Sequence, residues 1–590
     1  MTEGLSIEWA RAEPRAASVE RTAERLWLAL AVIVACTAIF LRLGHMALID
    51  PDEGRNTTVA SEMMRSGSWL VPTYNGLDYL DKPAFFFKAV ALSMSVFGQS
   101  GLAARLPSAL FALATLAIAY AFVRRELGAR CAAFAVMIVA TTPLFFAFSR
   151  IVIFDMTLCF FTCAALFAGY LAEEHAEEHE AAQRRRWYLV GAAASGFATL
   201  VKGPVGFIVP ALALSVFHLV ERRPRAILRL LAPRNLLVFF AVVLPWFIGL
   251  VVARPDFAYY GLVLETFKRF TSPVFHRTQP FYYYGPVIAG AFLSWSVLFP
   301  ESIAAAWKSR ARLSRVERFL IVWAVVVVLF FSVSQSKLPG YIVSACVALG
   351  TLVASLFERA AVPGSRAQAT VLRGALFVCA ICLVLALALV AEVARPGLIP
   401  SVFPKANLAS WSPVVVPWAI ALGAAALLAL VARAKRDTRA ALAAFVAMPL
   451  GLVVAGGRGF EAYAESHSSR ELARTIEATA PGASVACLAC FPQGLPLYLH
   501  QPLTLISETG GEMSSNYVIY SLAERRDWPT SVVKLEDRDR WIRAQPSEVL
   551  IIARDALRAD LLGIAAIHAG HEIELPHGWC GIEIDKRGAH

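Results

Sequence analysis

Two short polar boxes, Asp50-Pro51-Asp52-Glu53-Gly54-Arg55 and Asp81-Lys82-Pro83, follow the first hydrophobic segment of the chain. Carboxylates, an arginine and a lysine at the mouth of a membrane helix are the parts needed to bind a phosphorylated lipid and activate an acceptor. Asp52 and Glu53 are adjacent, so on a helix their side chains point about 100° apart and cannot share one task. Asp52 reads as the base and Glu53 as its partner. A helix dipole that favours acidic residues in the first turn explains Asp50 well, but not Arg55 or Lys82.

Three more ionisable residues interrupt or adjoin apolar runs, where charge is costly and functional by default. Asp155 stands one turn inside the run 151–161, just after Arg150, with which a structural pair is the competing reading. Lys202 precedes Gly203-Pro204 at a helix end, where an ammonium either holds a phosphate as a point charge or snorkels to the interface. Lys337, in Ser336-Lys337-Leu338-Pro339-Gly340-Tyr341, occupies a very short turn and invites the same two readings.

The elements that must position these groups are membrane helices. The chain is 58% hydrophobic and 17% charged, with a mean hydropathy of +0.59. Runs long enough to cross roughly 30 Å of hydrocarbon recur from 26–47 to 440–457, about thirteen in all. The two flanking Lys202, 187–201 and 203–220, are the least distinct. Residues 1–24 are polar and arginine-bearing, without the apolar core of a removable signal peptide.

A net charge of +11 would suggest nucleic acid in a soluble chain, but here the arginines gather in alternate loops. Arg124 and Arg125, Arg184 to Arg186, Arg222 to Arg234, Lys308 to Arg318, Arg359 to Arg373 and Arg433 to Arg439 share one side. The positive-inside rule puts them in the cytoplasm. Both boxes and everything beyond residue 458 then face outward, where no nucleotide-sugar pool exists and group transfer must draw on a lipid-carried donor.

The outer loop 48–103 is expected to hold a short helix over 52–66 and, opened by Pro83, an apolar helix over 84–97 lying on the membrane surface. A second outer loop, 255–282, carries Lys268, Arg269, His276 and Arg277 with the aromatic run 281–284. The inner charge run from Glu173 to Arg186, with His175 and His179, reads as a solvated helix extension rather than a metal site. From 459 onward the composition is that of a small α/β domain: a Ser468/Glu471 capping box ahead of an amphipathic helix, then strand-like runs at 485–489, 503–506 and 549–553. Seven of the ten cysteines lie in predicted spans; Cys487, Cys490 and Cys580 are outside, either bridged or buried as thiols.

Taken in order, these segments resemble the GT-C membrane glycosyltransferases, in particular the bacterial aminoarabinose transferase and protein O-mannosyltransferase group. The resemblance is carried by Asp52-Glu53-Gly54-Arg55 with Glu62-Met63-Met64 and Ser66-Gly67-x-Trp69, by Gly76-Leu77-x-Tyr79-x-x-Lys82-Pro83, by 150–155 and 200–206, by Arg269 before His276-Arg277, and by Lys337-Leu338-Pro339-x-Tyr341. It implies a polytopic helical domain over 1–458, an extracytoplasmic α/β domain over 459–590, and transfer of a sugar from a polyprenyl phosphate on the outer face of a bacterial inner membrane. It puts the catalytic carboxylate at Asp52 with Glu53 and Asp155, the lipid-phosphate cations at Lys82, Lys202 and Arg269, and a donor and acceptor pocket at Arg55, Tyr79, His276, Lys337 and Tyr341.

By the same resemblance the donor is an undecaprenyl-phosphate sugar, with 4-amino-4-deoxy-L-arabinose leading, and the acceptor is lipid A. No cofactor is required, because lysine and arginine can take up the leaving phosphate's charge. Asn56 stands where the aminoarabinose transferases carry tyrosine, so the resemblance bears on the carrier chemistry more directly than on the sugar. Transfer to a protein or another envelope glycan is the runner-up. A transporter is the reading of a different class; the chain lacks the inverted repeat and paired helix breaks that would favour it.

Overall fold

The computed structural model describes residues 3–174, 180–268, 279–308, 310–398, 409–524 and 528–584. Among the described residues nine helices are long and apolar enough to cross a membrane, and two further pairs, bent by 70° at 142 and by 111° near 292–294, raise the number to 11. The two remaining expected segments are helices Ala181–Lys202, whose first turns carry Arg184 to Arg186, and Val205–Val220, 16 residues long. The chain reverses between them at Gly203, which adopts φ +79. A methyl group on Gly206 would lie 2.3 Å from the backbone carbon of Ala198, so only glycine lets the second helix start so close to the first.

Loop 48–103 folds as helix Asp52–Ser66, a hairpin of β1 (Thr73–Tyr74) and β2 (Leu77–Asp78), and helix Phe85–Phe97. The hairpin turns through Asn75 and Gly76, both at positive φ, as a two-residue turn between right-twisted strands requires. Glu62 locks it: its carboxylate accepts from Thr73 Oγ1 at 2.8 Å and from the amides of Asn75 and Gly76 at 2.6 and 3.1 Å.

The C-terminal sheet comprises β3 (Ser484–Leu488), β4 (Thr504–Ser507), β5 (Val532–Lys534), β6 (Val549–Arg554), β7 (His571–Leu575) and β8 (Trp579–Ile584), in the order β5-β4-β3-β6-β8-β7. The first four are parallel and the last two antiparallel. Strand side chains alternate between faces. Val485, Cys487, Leu505, Leu550 and Ile552 therefore join a core with Val59, Met63, Tyr74, Tyr79 and Phe86 of loop 48–103. Their neighbours Ala486, Leu488, Ile506 and Ile551 pack against Leu561 and Ile564 instead.

Loop 48–103 is thus an intermediate layer between membrane helices and sheet, beyond its expected place at the membrane surface. On helix Phe85–Phe97 only one side, with Leu92, Val96 and Phe97, stays exposed. Cys487, Cys490 and Cys580 are buried free thiols.

The layers are tied by three carboxylates. Glu53, 2% exposed, receives Arg105 Nε and Nη2 at 2.8 and 2.7 Å and the amides of Ile49 and Val152 at 3.0 Å each. Arg105, fully buried, also donates to the carbonyls of Leu43, Met46 and Ala47. Asp81 caps helix Asn516–Glu524, accepting the amides of Tyr517 and Asn516 at 2.7 and 3.1 Å and the Tyr260 hydroxyl at 2.6 Å.

Asp50 accepts a hydrogen bond from Ser469 Oγ, which corrects the expected capping box. Helix Arg470–Thr479 begins after Ser469, whose hydroxyl serves Asp50, while Glu471 pairs with His577 and Ser468 bonds the Arg470 amide and the Tyr498 hydroxyl. The inner charge run is also not all solvated: Glu173 is 2% exposed and held by Tyr188 and Arg229. His175 and His179 lie outside the described residues.

Removing one partner of a buried ion pair leaves the other charge uncompensated, at about 3–5 kcal/mol. Arg105→Ala is therefore expected to lower the melting temperature of the detergent-purified protein sharply, whereas the double change Arg105→Met with Glu53→Gln recovers much of it; a thermal melt of the three proteins decides this. Asp50 provides a pH test. Burial pushes its carboxyl up from 3.8 to about 7, with Glu53 adding to the effect and the Ser469 hydroxyl opposing it. The folded state then holds a proton that the unfolded chain releases near pH 4, so stability declines as pH rises from about 4 to about 7. Asp50→Asn cannot ionise, and its melting temperature should fall less between pH 5 and pH 8 than that of the wild type; parallel slopes would remove Asp50 as the cause.

Candidate active site

Asp52 is the first residue of its helix and Glu53 the second, so the clamp on Glu53 fixes the direction of Asp52. The Asp52 side chain stays 53% exposed and accepts Arg55 Nη2 at 2.5 Å, one helical turn on. Arg55 is itself buried and reaches the Ser514 carbonyl of the C-terminal domain at 3.4 Å. Asn56 is fully buried and donates to the Val152 carbonyl at 2.8 Å, so this position fastens the helix to the segment leading to Asp155.

Asp155 opens helix Asp155–Ala172 and pairs with Lys202, the last residue of helix Ala181–Lys202. Arg150 takes no part: it donates to the carbonyls of Ala38, Ile39 and Leu41. The Lys202 ammonium also sits 4.5 Å from the Tyr341 ring centre and 4.9 Å from that of Phe154, at cation–π distance. Tyr341 comes this near because the preceding residue is glycine. A methyl group on Gly340 would lie 2.5 Å from the Phe148 ring and 3.1 Å from the Asp155 carboxyl carbon.

Lys82 pairs with Glu265, on the π-helical stretch Tyr260–Lys268, and donates to the Asp81 carbonyl at 2.7 Å. Asn516 Nδ2 lies 3.5 Å from the other Glu265 oxygen.

Lys82, Lys202, Glu265 and Tyr341 line one cavity of about 800 Å³. Its remaining walls are mostly apolar, with Phe207, Phe239, Phe247 and Phe330 among them. Asp155 reaches it through Lys202. Asp52, Arg55 and Tyr79 lie outside its lining, although the charges of Arg55, Asp81, Asp52 and Glu265 all act on the Tyr79 phenol, which burial pushes above its ordinary range. Tyr79 packs edge-on against Tyr74 and Phe87.

Two expected roles change with this geometry. Glu53 has no open side toward a substrate, so its role becomes that of a positioning residue. The Lys337 ammonium is buried against the carbonyls of Ser334 and Gln279 at 2.6 and 2.8 Å, and it secures the turn ahead of Tyr341 instead of lining the cavity. Arg269 and His276 lie outside the described residues. Among the described residues no three His, Cys, Asp or Glu side chains converge.

Sequence reading missed Glu265, the capping role of Asp81, and Arg105. The cost of charge in an apolar helix, which singled out Asp155, applies equally to Arg105.

Residues 81–248 match the family model of dolichyl-phosphate-mannose-protein mannosyltransferases. The undecaprenyl phosphate-alpha-4-amino-4-deoxy-L-arabinose arabinosyl transferase 1 of Sodalis glossinidius is 31% identical over 444 residues, 73% of this chain and 75% of that protein. A transferase of the same name from Edwardsiella ictaluri is 28% identical over 334 residues, 56% of this chain and 59% of its own length, so the match spans less than two thirds of that relative.

The crystal structure of ArnT from Cupriavidus metallidurans bound to undecaprenyl phosphate superposes with a TM-score of 0.78 at 25% identity, covering 95% of this chain and 98% of that one. The polytopic helical body with its C-terminal sheet is accordingly a GT-C membrane fold. On the extent and identity of the Sodalis match, the chain belongs to the family of undecaprenyl phosphate-alpha-4-amino-4-deoxy-L-arabinose arabinosyl transferases.

Proposed function

We propose that this protein is an inverting glycosyltransferase that moves 4-amino-4-deoxy-L-arabinose from undecaprenyl phosphate to lipid A at the periplasmic face of the bacterial inner membrane. Residues 1–458 form the transferase unit and 459–590 the periplasmic domain. The observation that carries the reading is the cavity itself, whose apolar walls suit a polyprenyl chain and whose lysines, Lys82 and Lys202, suit its phosphate. The relatives named for this reaction, and the solved relative that holds undecaprenyl phosphate, support the choice of donor.

In the reaction, an oxygen of the acceptor attacks the anomeric carbon from the face opposite the carrier. The bond from that carbon to the phosphate oxygen breaks, and its electron pair leaves with the phosphate. Lys82 and Lys202, with Arg269, take up the charge that develops on the leaving oxygen. Asp52, held by Arg55 and open to solvent, accepts the proton of a hydroxyl acceptor, or orients the oxygen of a phosphate acceptor, which is already ionised. Asp155 keeps Lys202 and Tyr341 in register at the donor's sugar. Tyr79 lies within electrostatic reach of the Asp52–Arg55 pair.

Two variants test the assignment. Asp52→Asn, expressed in cells lacking the native copy, should reduce the pentosamine-modified fraction of lipid A by about 10²-fold or more, the usual worth of a general base, with normal membrane abundance; mass spectrometry of lipid A and envelope proteins from the same cells reads sugar and acceptor together. Wild-type levels of modification would remove Asp52 from the mechanism, and label found on protein would reassign the acceptor. Lys82→Met combined with Glu265→Gln keeps the cavity free of an unpaired carboxylate. It should bind undecaprenyl phosphate at least about tenfold more weakly, since a charge-assisted hydrogen bond is worth about 1.5–3 kcal/mol, and unchanged binding would sink the role given to Lys82.

A further inference from the structure

Three spans also meet at the ends far from the site: Asp155–Ala172, which carries Asp155, Val205–Val220, which follows Lys202, and Arg315–Val333, which precedes Lys337. Helix Asp155–Ala172 ends beside Tyr170, Val205–Val220 ends at Phe217 and His218, and Arg315–Val333 begins there. The Arg315 guanidinium carbon lies 4.8 Å from the Tyr170 ring centre and 5.9 Å from that of Phe217. Two of its nitrogens, Nε and Nη2, are buried without a hydrogen-bond partner among the described residues. His218 is fully buried, and neither ring nitrogen has a partner. Arg315 and Arg223 are among the charges that act on it.

The carboxylates that flank this corner are already engaged by other cations, with Glu126 and Glu174 sharing one. Glu173 pairs with Arg229, Glu221 with Arg318, and Glu126 and Glu174 with Arg125. Two helix C-termini put partial negative charge here, and Arg223 and Arg315 are the cations of the corner that no carboxylate pairs among the described residues. What the corner lacks is an acceptor: a group with several anionic oxygens, able to take two guanidinium N–H groups and one imidazole N–H together. Phosphate has that geometry. The corner sits where spans leave the membrane among exposed Arg222, Arg223 and Arg312, and basic pockets between spans at this depth select anionic lipid headgroups.

We propose that Arg315 and His218 form a binding site for the phosphate of an anionic phospholipid, at the membrane face opposite the transferase site. A phosphate held there bridges helices Val205–Val220 and Arg315–Val333 beside the end of Asp155–Ala172. The site makes no use of the transfer reaction and stands apart from the proposal above.

The test uses the full-length protein, delipidated in detergent and titrated with phosphatidylglycerol, phosphatidylcholine or inorganic phosphate, with bound species counted by native mass spectrometry. Phosphatidylglycerol should add one tightly held copy that phosphatidylcholine does not replace. Arg315→Gln and His218→Phe should each weaken it about tenfold, the worth of one charge-assisted hydrogen bond, while undecaprenyl phosphate still binds, which shows that the variants are folded. Equal phosphatidylglycerol binding in the wild type and both variants overturns the site. So does a corner that takes up neither lipid nor phosphate and holds only water. If inorganic phosphate binds at Arg315 and displaces the lipid, the ligand is free phosphate and the lipid assignment fails.

Discussion

The ion pair between Glu53 and Arg105 is the contact on which the rest of the site depends. It gathers loop 48–103 through the Ile49 amide, the span Gly101–Leu127 through Arg105, and the approach to Asp155 through the Val152 amide. Because both partners are buried, their attraction is little screened and neither can leave without stranding the other. Asp52 is its neighbour in sequence, so its direction and its exposure follow from that anchor. A residue closed off from solvent thus decides where the carboxylate proposed to react points.

Asp81 performs the corresponding service between the membrane body and the C-terminal domain. Its carboxylate sits at the start of helix Asn516–Glu524, where the first amides have no partner within the helix. The next residue, Lys82, points into the cavity. The Asp81-Lys82-Pro83 box therefore fastens a domain with one side chain and faces the cavity with the next. Arg55 repeats the arrangement by holding Asp52 and reaching Ser514. The C-terminal domain thus holds Arg55 and Asp81 in place through Ser514, Asn516 and Tyr517.

Local patterns were legible in the sequence and long-range partners were not. The acidic first turn before Gly54 and the apolar run after Pro83 marked helices Asp52–Ser66 and Phe85–Phe97, and Gly203-Pro204 marked a chain reversal. Three of the four parallel strands announced themselves as apolar runs because both faces are buried. β7 escaped notice: His571-Glu-Ile-Glu-Leu lies at the sheet edge with its histidine and glutamates outward. The pairing of Lys202 with Asp155, and of Lys82 with Glu265, joins residues 47 and 183 positions apart, and no local pattern encodes such a distance. Ser468 and Glu471 had the spacing of a capping box, but a buried acceptor at Asp50 claimed the hydroxyl of the next serine.

Both cavity lysines are already matched, Lys82 by Glu265 and Lys202 by Asp155, so before any ligand arrives these two pairs leave no net charge. In the proposed reaction a sugar-bearing carrier would enter as a phosphodiester with one negative charge and leave as a phosphomonoester with up to two. Unmatched lysines would grip the departing carrier more firmly than the arriving donor and slow each cycle at its last step. In that reaction Glu265 and Asp155 would offset the preference by competing for the same ammonium groups, so that the exchange of one anion for another, more than simple capture, would set how readily the spent carrier returns to the membrane.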